Sequence, residues 1–215
     1  MKEQNAAGII FDMDGTLWDS SENVARSWST VTEKTPGLEK ALTKDDLQSV
    51  MGRTMDKIAE ALFSALPAEK QRQTLERCCE AENTYLREHG GILYDGVEQT
   101  LKALKEKYRL FIVSNCQAGY IEAFLDHYGL WKYFDDIECF GNNGKPKDEN
   151  IRRIYERNRL QRAVYVGDIQ GDYDASVRAG IGFIHARYGF GQIGTEVPFI
   201  ASFRELPAVA DEVFG

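Results

Sequence analysis

Residues 9–20 read IIFDMDGTLWDS, a short apolar run that ends in the aspartates Asp12 and Asp14, followed by a glycine. An apolar run of this length, closed by a turn signal, predicts a buried β-strand. Side chains alternate along an extended chain, so Asp12 and Asp14 are expected to point the same way while Gly15 lets the backbone turn. Ligands of open α/β sheets bind at the carboxyl ends of the strands. We therefore interpret Asp12 as a candidate nucleophile rather than as an aspartate that only caps a turn.

A second apolar strand also ends in a carboxylate. Residues 163–168 read AVYVGD, and Asp172 follows four residues later. Like charges held this close need a cation or a shared proton, and magnesium is usually held by one or two carboxylates together with water and a substrate phosphate. The pattern predicts Asp168 as a direct ligand and Asp172 as a residue that orients Asp168 or accepts from metal-bound water.

Two further segments carry polar groups suited to an anionic ligand. Residues 110–115, LFIVSN, predict a third strand whose terminal Ser114 contacts a phosphate oxygen, although Ser114 could equally cap the helix that follows. Residues 144–147, GKPK, precede a helical stretch. A lysine there would stabilise negative charge on the nucleophile and on a transferring phosphoryl group.

These four segments, in this order, resemble the haloacid dehalogenase superfamily, in the phosphatase branch close to phosphoglycolate phosphatases and β-phosphoglucomutase. The resemblance covers most of the chain. It implies that Asp12 is the nucleophile and Asp14 the general acid–base. It also implies that Mg²⁺ is the cofactor, with the side chains of Asp12 and Asp168 and the main-chain carbonyl of Asp14 as its protein ligands.

The resemblance further implies phosphate contacts and one active-site lysine. Thr16, Ser114 and Asn115 match the family's phosphate-side positions. Both Lys145 and Lys147 match a spacing that the family uses, and we retain both, with a slight preference for Lys147 because it directly precedes the helix.

The activity implied is magnesium-dependent hydrolysis of a small phosphomonoester metabolite through an aspartyl phosphate on Asp12. A haloacid dehalogenase would not retain an acid at Asp14. A sugar-phosphate mutase of the same superfamily carries a histidine in its first cap helix, roughly where Val24 stands. A catalytically silent interaction protein is the remaining alternative, and the intact acids and lysines argue against it.

The fold class expected is α/β, with a Rossmann-like parallel sheet, helices on both faces and an inserted α-helical cap domain. We assign residues 1–18 and 90–215 to the core domain and residues 19–89, where helical periodicity replaces strand patterns, to the cap. Two linkers would let the cap close over the site. Arg53, in the cap segment MGRT, is the candidate that selects the leaving group, with a solvated surface arginine as the alternative.

Composition limits the remaining classes. The chain has 215 residues, 43% of them hydrophobic, and a formal net charge of −8, which argues against nucleic acid as a partner. Its apolar runs are of strand length and its N-terminus lacks a basic or apolar leader, so we expect no membrane role and a cytoplasmic location. The four cysteines show no metal-ligand spacing. The expected partner is a small phosphorylated metabolite, and the expected assembly a monomer or a homodimer.

Overall fold

The computed structural model describes residues 7–215, which form a parallel sheet with helices on both faces and a helical insertion. In chain order the strands are β1 Ala7–Phe11, β2 Trp18–Asp19, β3 Ile92–Leu93, β4 Arg109–Ser114, β5 Asp136–Cys139, β6 Arg162–Gly167, β7 Gly182–Ala186 and β8 Phe199–Ile200. The helices are α1 Ser21–Thr32, α2 Lys44–Gln48, α3 Met55–Leu62, α4 Ala68–His89, α5 Val97–Lys105, α6 Tyr120–Tyr128, α7 Phe140–Asn143, α8 Lys147–Arg157, α9 Gln170–Ala179 and α10 Leu206–Phe214.

The main sheet has the strand order β5-β4-β1-β6-β7-β8, and every pair in it is parallel. Strand β1 therefore lies between β4 and β6. This order brings the carboxyl ends of the three strands that were predicted to carry site residues next to one another. The predicted α/β fold with a parallel sheet is confirmed.

Both faces of the central strand are buried, which explains its uninterrupted apolar sequence. Ile9 and Phe11 pack in one hydrophobic cluster with residues of α5, α6 and α10, while Ile10 packs on the opposite face with residues of α8 and α9. All three side chains have no exposed surface. The two helical layers thus fix the register of β1 and the direction in which its terminal acids point.

The helical insertion leaves and rejoins the sheet through a two-stranded antiparallel ribbon. Its strands β2 and β3 pair Trp18 with Leu93 and Asp19 with Ile92. The helices between them are α1 to α4, and α1 packs along α4. This ribbon is the point at which the insertion joins the rest of the chain. Among residues 7–215, no helix is both long and apolar enough to cross a membrane.

Candidate active site

Asp12 and Asp168 lie side by side at the ends of neighbouring strands. The backbone N–H of Asp12 donates to the carbonyl of Val166 at 2.9 Å, which extends the β1–β6 pairing by one residue. The two acids are 2% and 1% exposed. Ser114, the last residue of β4, ends the strand on the other side of β1. The structure thus brings together residues of all three predicted strands.

Lys147 joins this acidic group and Lys145 does not. The Nζ atom of Lys147 lies 3.0 Å from Oδ1 of Asp12 and 2.6 Å from Oδ1 of Asp172. Burial lowers the pKa of Lys147, but the charges of the two carboxylates and their hydrogen bonds outweigh burial and raise it above its usual value. The side chain of Lys145 is half exposed and lies 3.5 Å from Glu149.

Asp172 is held by hydrogen bonds through both of its oxygens. Its Oδ2 accepts from the backbone N–H groups of Asp168 at 3.1 Å and Ile169 at 3.2 Å, while Oδ1 accepts from Lys147. A carboxylate with both oxygens occupied in this way is suited to fixing Lys147 and the chain at Asp168.

Three buried acids lie close to one ammonium group, so ionising all of them would leave an excess of negative charge. Asp12, Asp168 and Asp172 each offer an oxygen, and these oxygens lie within 4.8 Å of one another. Burial raises the pKa of Asp168 well above its usual value, and the charges of Asp172 and Asp12 add to the effect. This cluster of buried carboxylates could bind a metal, and a divalent cation would offset the repulsion.

Gly15 makes the close approach of the two strand ends possible. Its φ is +81°, and a Cβ atom at this position would overlap the carboxylate of Asp168. Oδ2 of Asp168 also accepts from the backbone N–H of Phe190 at 2.7 Å. A residue with a side chain at position 15 would displace the carboxylate of Asp168. The site therefore requires glycine here, as the turn does.

Asp14 lies on the cavity side of the strand end and has its own hydrogen-bond partners. Its Oδ1 accepts from the Ser20 hydroxyl at 2.6 Å and from the Tyr120 hydroxyl at 2.8 Å. Burial raises the pKa of Asp14 to about 6, and these two hydrogen bonds moderate the rise. A carboxyl group with a pKa close to neutral can both give and accept a proton.

Thr16 and Asn115 present buried oxygen atoms without partners among the described residues. These atoms are the Thr16 hydroxyl oxygen and the Asn115 amide oxygen. The Asn115 amide nitrogen donates to the carbonyl of Gly52 in the insertion, at 2.9 Å. Since buried polar atoms are usually satisfied, these oxygens are available to a ligand, although Asn115 reaches the insertion as well as the strand end.

A cavity of about 40 Å³ lies between the helical insertion and the sheet edge, next to Asp14 and Ser114. Arg53 lines it, is exposed, and donates to the backbone carbonyl of Ser49 at 3.0 Å. Val24 also lines it, so the position at which a mutase would carry a histidine faces this cavity. The cavity therefore borders both the insertion and the strand end that carries Asp14.

Three residues of this site were not predicted from the sequence. Ser20 and Tyr120 hold Asp14, and Glu82 of α4 lines the cavity. Tyr120 carries no local signal because its partner is far away along the chain. Glu82 does carry a local signal, since the buried residues of α4 recur every four positions and form a stripe that includes this acid. The buried residues of the stripe are Thr74, Cys78, Glu82 and Leu86.

The chain is similar to known proteins over most of its length. Residues 9–186 match the model of a family described as haloacid dehalogenase-like hydrolase. A phosphoglycolate phosphatase from Aquifex aeolicus (strain VF5) is 29% identical over 196 residues, which cover 88% of this chain and 89% of the relative. A phosphoglycolate phosphatase from Salmonella typhimurium is 27% identical, covering 88% of this chain and 84% of the relative.

Solved structures share the fold at low sequence identity. A haloacid dehalogenase-like hydrolase from Streptococcus pneumoniae superimposes with a TM-score of 0.78 at 19% identity, covering 97% of this chain and 99% of the other. A β-phosphoglucomutase from Clostridium difficile gives 0.74 at 17% identity, covering 96% and 98%. Both likenesses concern the fold alone.

Proposed function

Since the chain belongs to the haloacid dehalogenase-like hydrolases and is a phosphatase enzyme similar to phosphoglycolate phosphatases, we propose that it hydrolyses small phosphomonoester metabolites with Mg²⁺ through an aspartyl phosphate on Asp12. The observation that carries the proposal is the buried bridge of Lys147 between Asp12 and Asp172. It holds a carboxylate and a cation together at the carboxyl end of the central strand, where an anionic ester would bind.

The metal would be held by the side chains of Asp12 and Asp168 and by the main-chain carbonyl of Asp14. When bound, it would neutralise charge on the phosphoryl oxygens and favour the ionised form of the neighbouring carboxylates. The second effect suits this site, because burial raises the pKa of Asp12 to about 7 despite the opposing charge of Lys147. The nucleophile must be a carboxylate to react.

In the first step an oxygen of Asp12 attacks phosphorus, and the bond from phosphorus to the leaving oxygen breaks. Asp14 in its protonated form gives its proton to that oxygen, so the product leaves as an alcohol. Lys147 stays beside Asp12 and offsets the charge of the phosphorylated side chain. Ser114, Thr16 and Asn115 would hold the phosphoryl oxygens.

In the second step water attacks phosphorus and the bond to Asp12 breaks. Asp14, now a carboxylate, accepts a proton from the attacking water, which restores both acids and releases phosphate. The hydrogen bonds from Ser20 and Tyr120 keep the Asp14 side chain in place through both steps. The pKa of about 6 lets this residue change its protonation state between the steps.

The helical insertion would act as a cap that closes over the site. We keep the division into residues 1–18 and 90–215 as core and residues 19–89 as cap, with β2 and β3 as the hinge. The hydrogen bond from Asn115 to Gly52 joins cap and core in the closed arrangement and would have to break for product release. Arg53, at the cavity, would contact the leaving group or the ester phosphate.

Phosphate release from a panel of phosphomonoesters tests the proposal. We expect turnover of nitrophenyl phosphate and of several small metabolites with magnesium, and none after addition of a chelator. Because Asp12 supplies the attacking oxygen, Asp12→Asn should lose turnover of every ester, whereas Asp174→Asn, an exposed acid of α9 bonded to Gln170, should not. Turnover that survives chelation or the Asp12 substitution would contradict the proposal.

A further inference from the structure

Glu82 is a buried acid in the wall of the cavity that the proposed mechanism does not use. It lies on α4, is 4% exposed, and lines the cavity together with Asp14. Its Oε2 accepts from the indole N–H of Trp28 at 2.7 Å. This donor orients the carboxyl group without supplying a charge.

No positively charged partner accompanies this carboxyl group. Within residues 7–215, no lysine, arginine or histidine nitrogen forms an ion pair with Glu82 within 4.0 Å. Arg53 lines the same cavity, but it is exposed and its guanidinium donates to the Ser49 carbonyl. Buried acids are normally either paired with a cation or kept neutral by a raised pKa, and burial raises the pKa of Glu82.

Most of the remaining cap side of the cavity is apolar. On this side Arg53 is the other charged residue of the lining. The apolar residues of this wall are Val24, Leu47, Val50, Met51, Met55 and Ile58. A leaving group of one short aliphatic chain with a single polar end fits such a wall.

We infer that the cavity selects phosphomonoesters whose leaving alcohol ends in a hydrogen-bond donor that binds Glu82. An ammonium group is preferred over a hydroxyl group, and a leaving group that ends in a carboxylate is disfavoured. This inference rests on the proposed function, because it names the substrate class of the same site. Glu82 is on this view a specificity-determining residue and takes no part in the transfer of the phosphoryl group.

The electrostatics of the cavity support this choice. A carboxylate on the leaving group would meet two acids, Glu82 and Asp14, whereas the guanidinium of Arg53 is exposed and bonded to the Ser49 carbonyl. An ammonium group would stabilise the ionised form of Glu82. Burial raises the pKa of Glu82 to about 8, so at neutral pH the group lies close to its titration point and an arriving cation can ionise it.

Three esters of the same chain length test the inference: 2-aminoethyl phosphate, 2-hydroxyethyl phosphate and phosphoglycolate. The kcat/KM of each is measured with magnesium for the wild type and for Glu82→Gln, which keeps an oxygen for the Trp28 indole and removes the charge. Glu80→Gln, an exposed acid on the same helix, is the matched control. Ratios between substrates within one variant cancel changes in core chemistry or folded fraction.

We expect the wild type and the Glu80 control to prefer the aminoethyl ester over phosphoglycolate by at least roughly 10-fold, as expected for a hydrogen bond between charged groups. The hydroxyethyl ester should fall between the two. In Glu82→Gln the preference should shrink by about the same factor, because the amide cannot ionise to balance an ammonium group.

A preference for phosphoglycolate in the wild type, or a ratio that Glu82→Gln leaves unchanged, would overturn the inference. Nitrophenyl phosphate distinguishes this failure from failure of the proposed function. If it is hydrolysed while the ratio favours phosphoglycolate, only the inference is wrong. If no ester is hydrolysed, both are wrong.

Discussion

Replacing Glu82 by glutamine should remove a pH-dependent loss of stability from this protein. Burial raises the pKa of Glu82 from 4.5 to about 8 in the folded state, against the hydrogen bond from Trp28. In the unfolded chain the same carboxyl group ionises near its ordinary value. Between these two values the unfolded chain binds fewer protons than the folded one, so the free energy of unfolding falls as the pH rises.

The size of the effect follows from the two pKa values. The interval from 4.5 to about 8 corresponds to roughly 5 kcal/mol at about 1.4 kcal/mol per pH unit. The contribution of Glu82 is fully present below the unfolded value and is lost as the pH rises through the folded value. Of this contribution to the free energy of unfolding, roughly 3 kcal/mol is lost as the pH rises from about 5 to about 8.

Urea unfolding at these two pH values, without metal or substrate, measures the effect. Glutamine has the same shape and can accept from the Trp28 indole, but it does not titrate. The free energy of unfolding of Glu82→Gln minus that of the wild type should therefore increase by roughly 3 kcal/mol from the lower to the higher pH. Other acids of the site titrate in both proteins and cancel.

Glu80→Gln serves as the control, because an exposed acid on the same helix should give a difference that does not change with pH. The reasoning would be refuted if the Glu82→Gln difference were the same at both pH values. Glu82 would then ionise in the folded protein as it does in the unfolded chain, and the cavity would have to admit enough water to solvate it.

Further predictions concern the residues around the nucleophile. Asp14→Asn should slow turnover of alkyl phosphates by roughly 100-fold or more and that of nitrophenyl phosphate less, since nitrophenolate needs little protonation; equal losses in kcat for both would count against an acid role. Lys147→Met should lower kcat by on the order of 100-fold, while Lys145→Met, which removes an exposed lysine, should retain wild-type turnover; the reverse order would assign the role to Lys145. Asp168→Ala should raise the magnesium concentration needed for half-maximal activity by roughly 10-fold or more, and an unchanged requirement in a metal titration would remove it from the ligand set.

The fold could be predicted because its signals are local. The apolar run at residues 9–11 is continuous because both faces of β1 are covered, and the acids that follow it mark the end of the strand. Strand β8 and its pairing with β7 were not predicted, since two residues carry too little periodicity. The order of the strands in the sheet depends on how the helices pack on it, and no single segment of the sequence reveals that packing.

The candidate site, too, could be predicted only in part. The sequence left two candidates for the active-site lysine, because the first turn of α8 decides which of them points inward. Tyr120 reaches Asp14 from a helix 106 residues away in sequence, so no spacing rule identifies it. Glu82 belongs to a helix whose exposed face carries many charges, and only its place on the buried stripe separates it from them.

The claim that Asp12 becomes phosphorylated can be tested most directly by trapping the intermediate. The enzyme is mixed with magnesium and a phosphomonoester, quenched in acid during turnover, digested, and analysed by mass spectrometry. The account predicts one added phosphoryl group on the peptide containing Asp12, lost on treatment with hydroxylamine and absent from Asp12→Asn. A phosphoryl group on another residue, or burst kinetics of product release with no phosphorylation at Asp12, would contradict it.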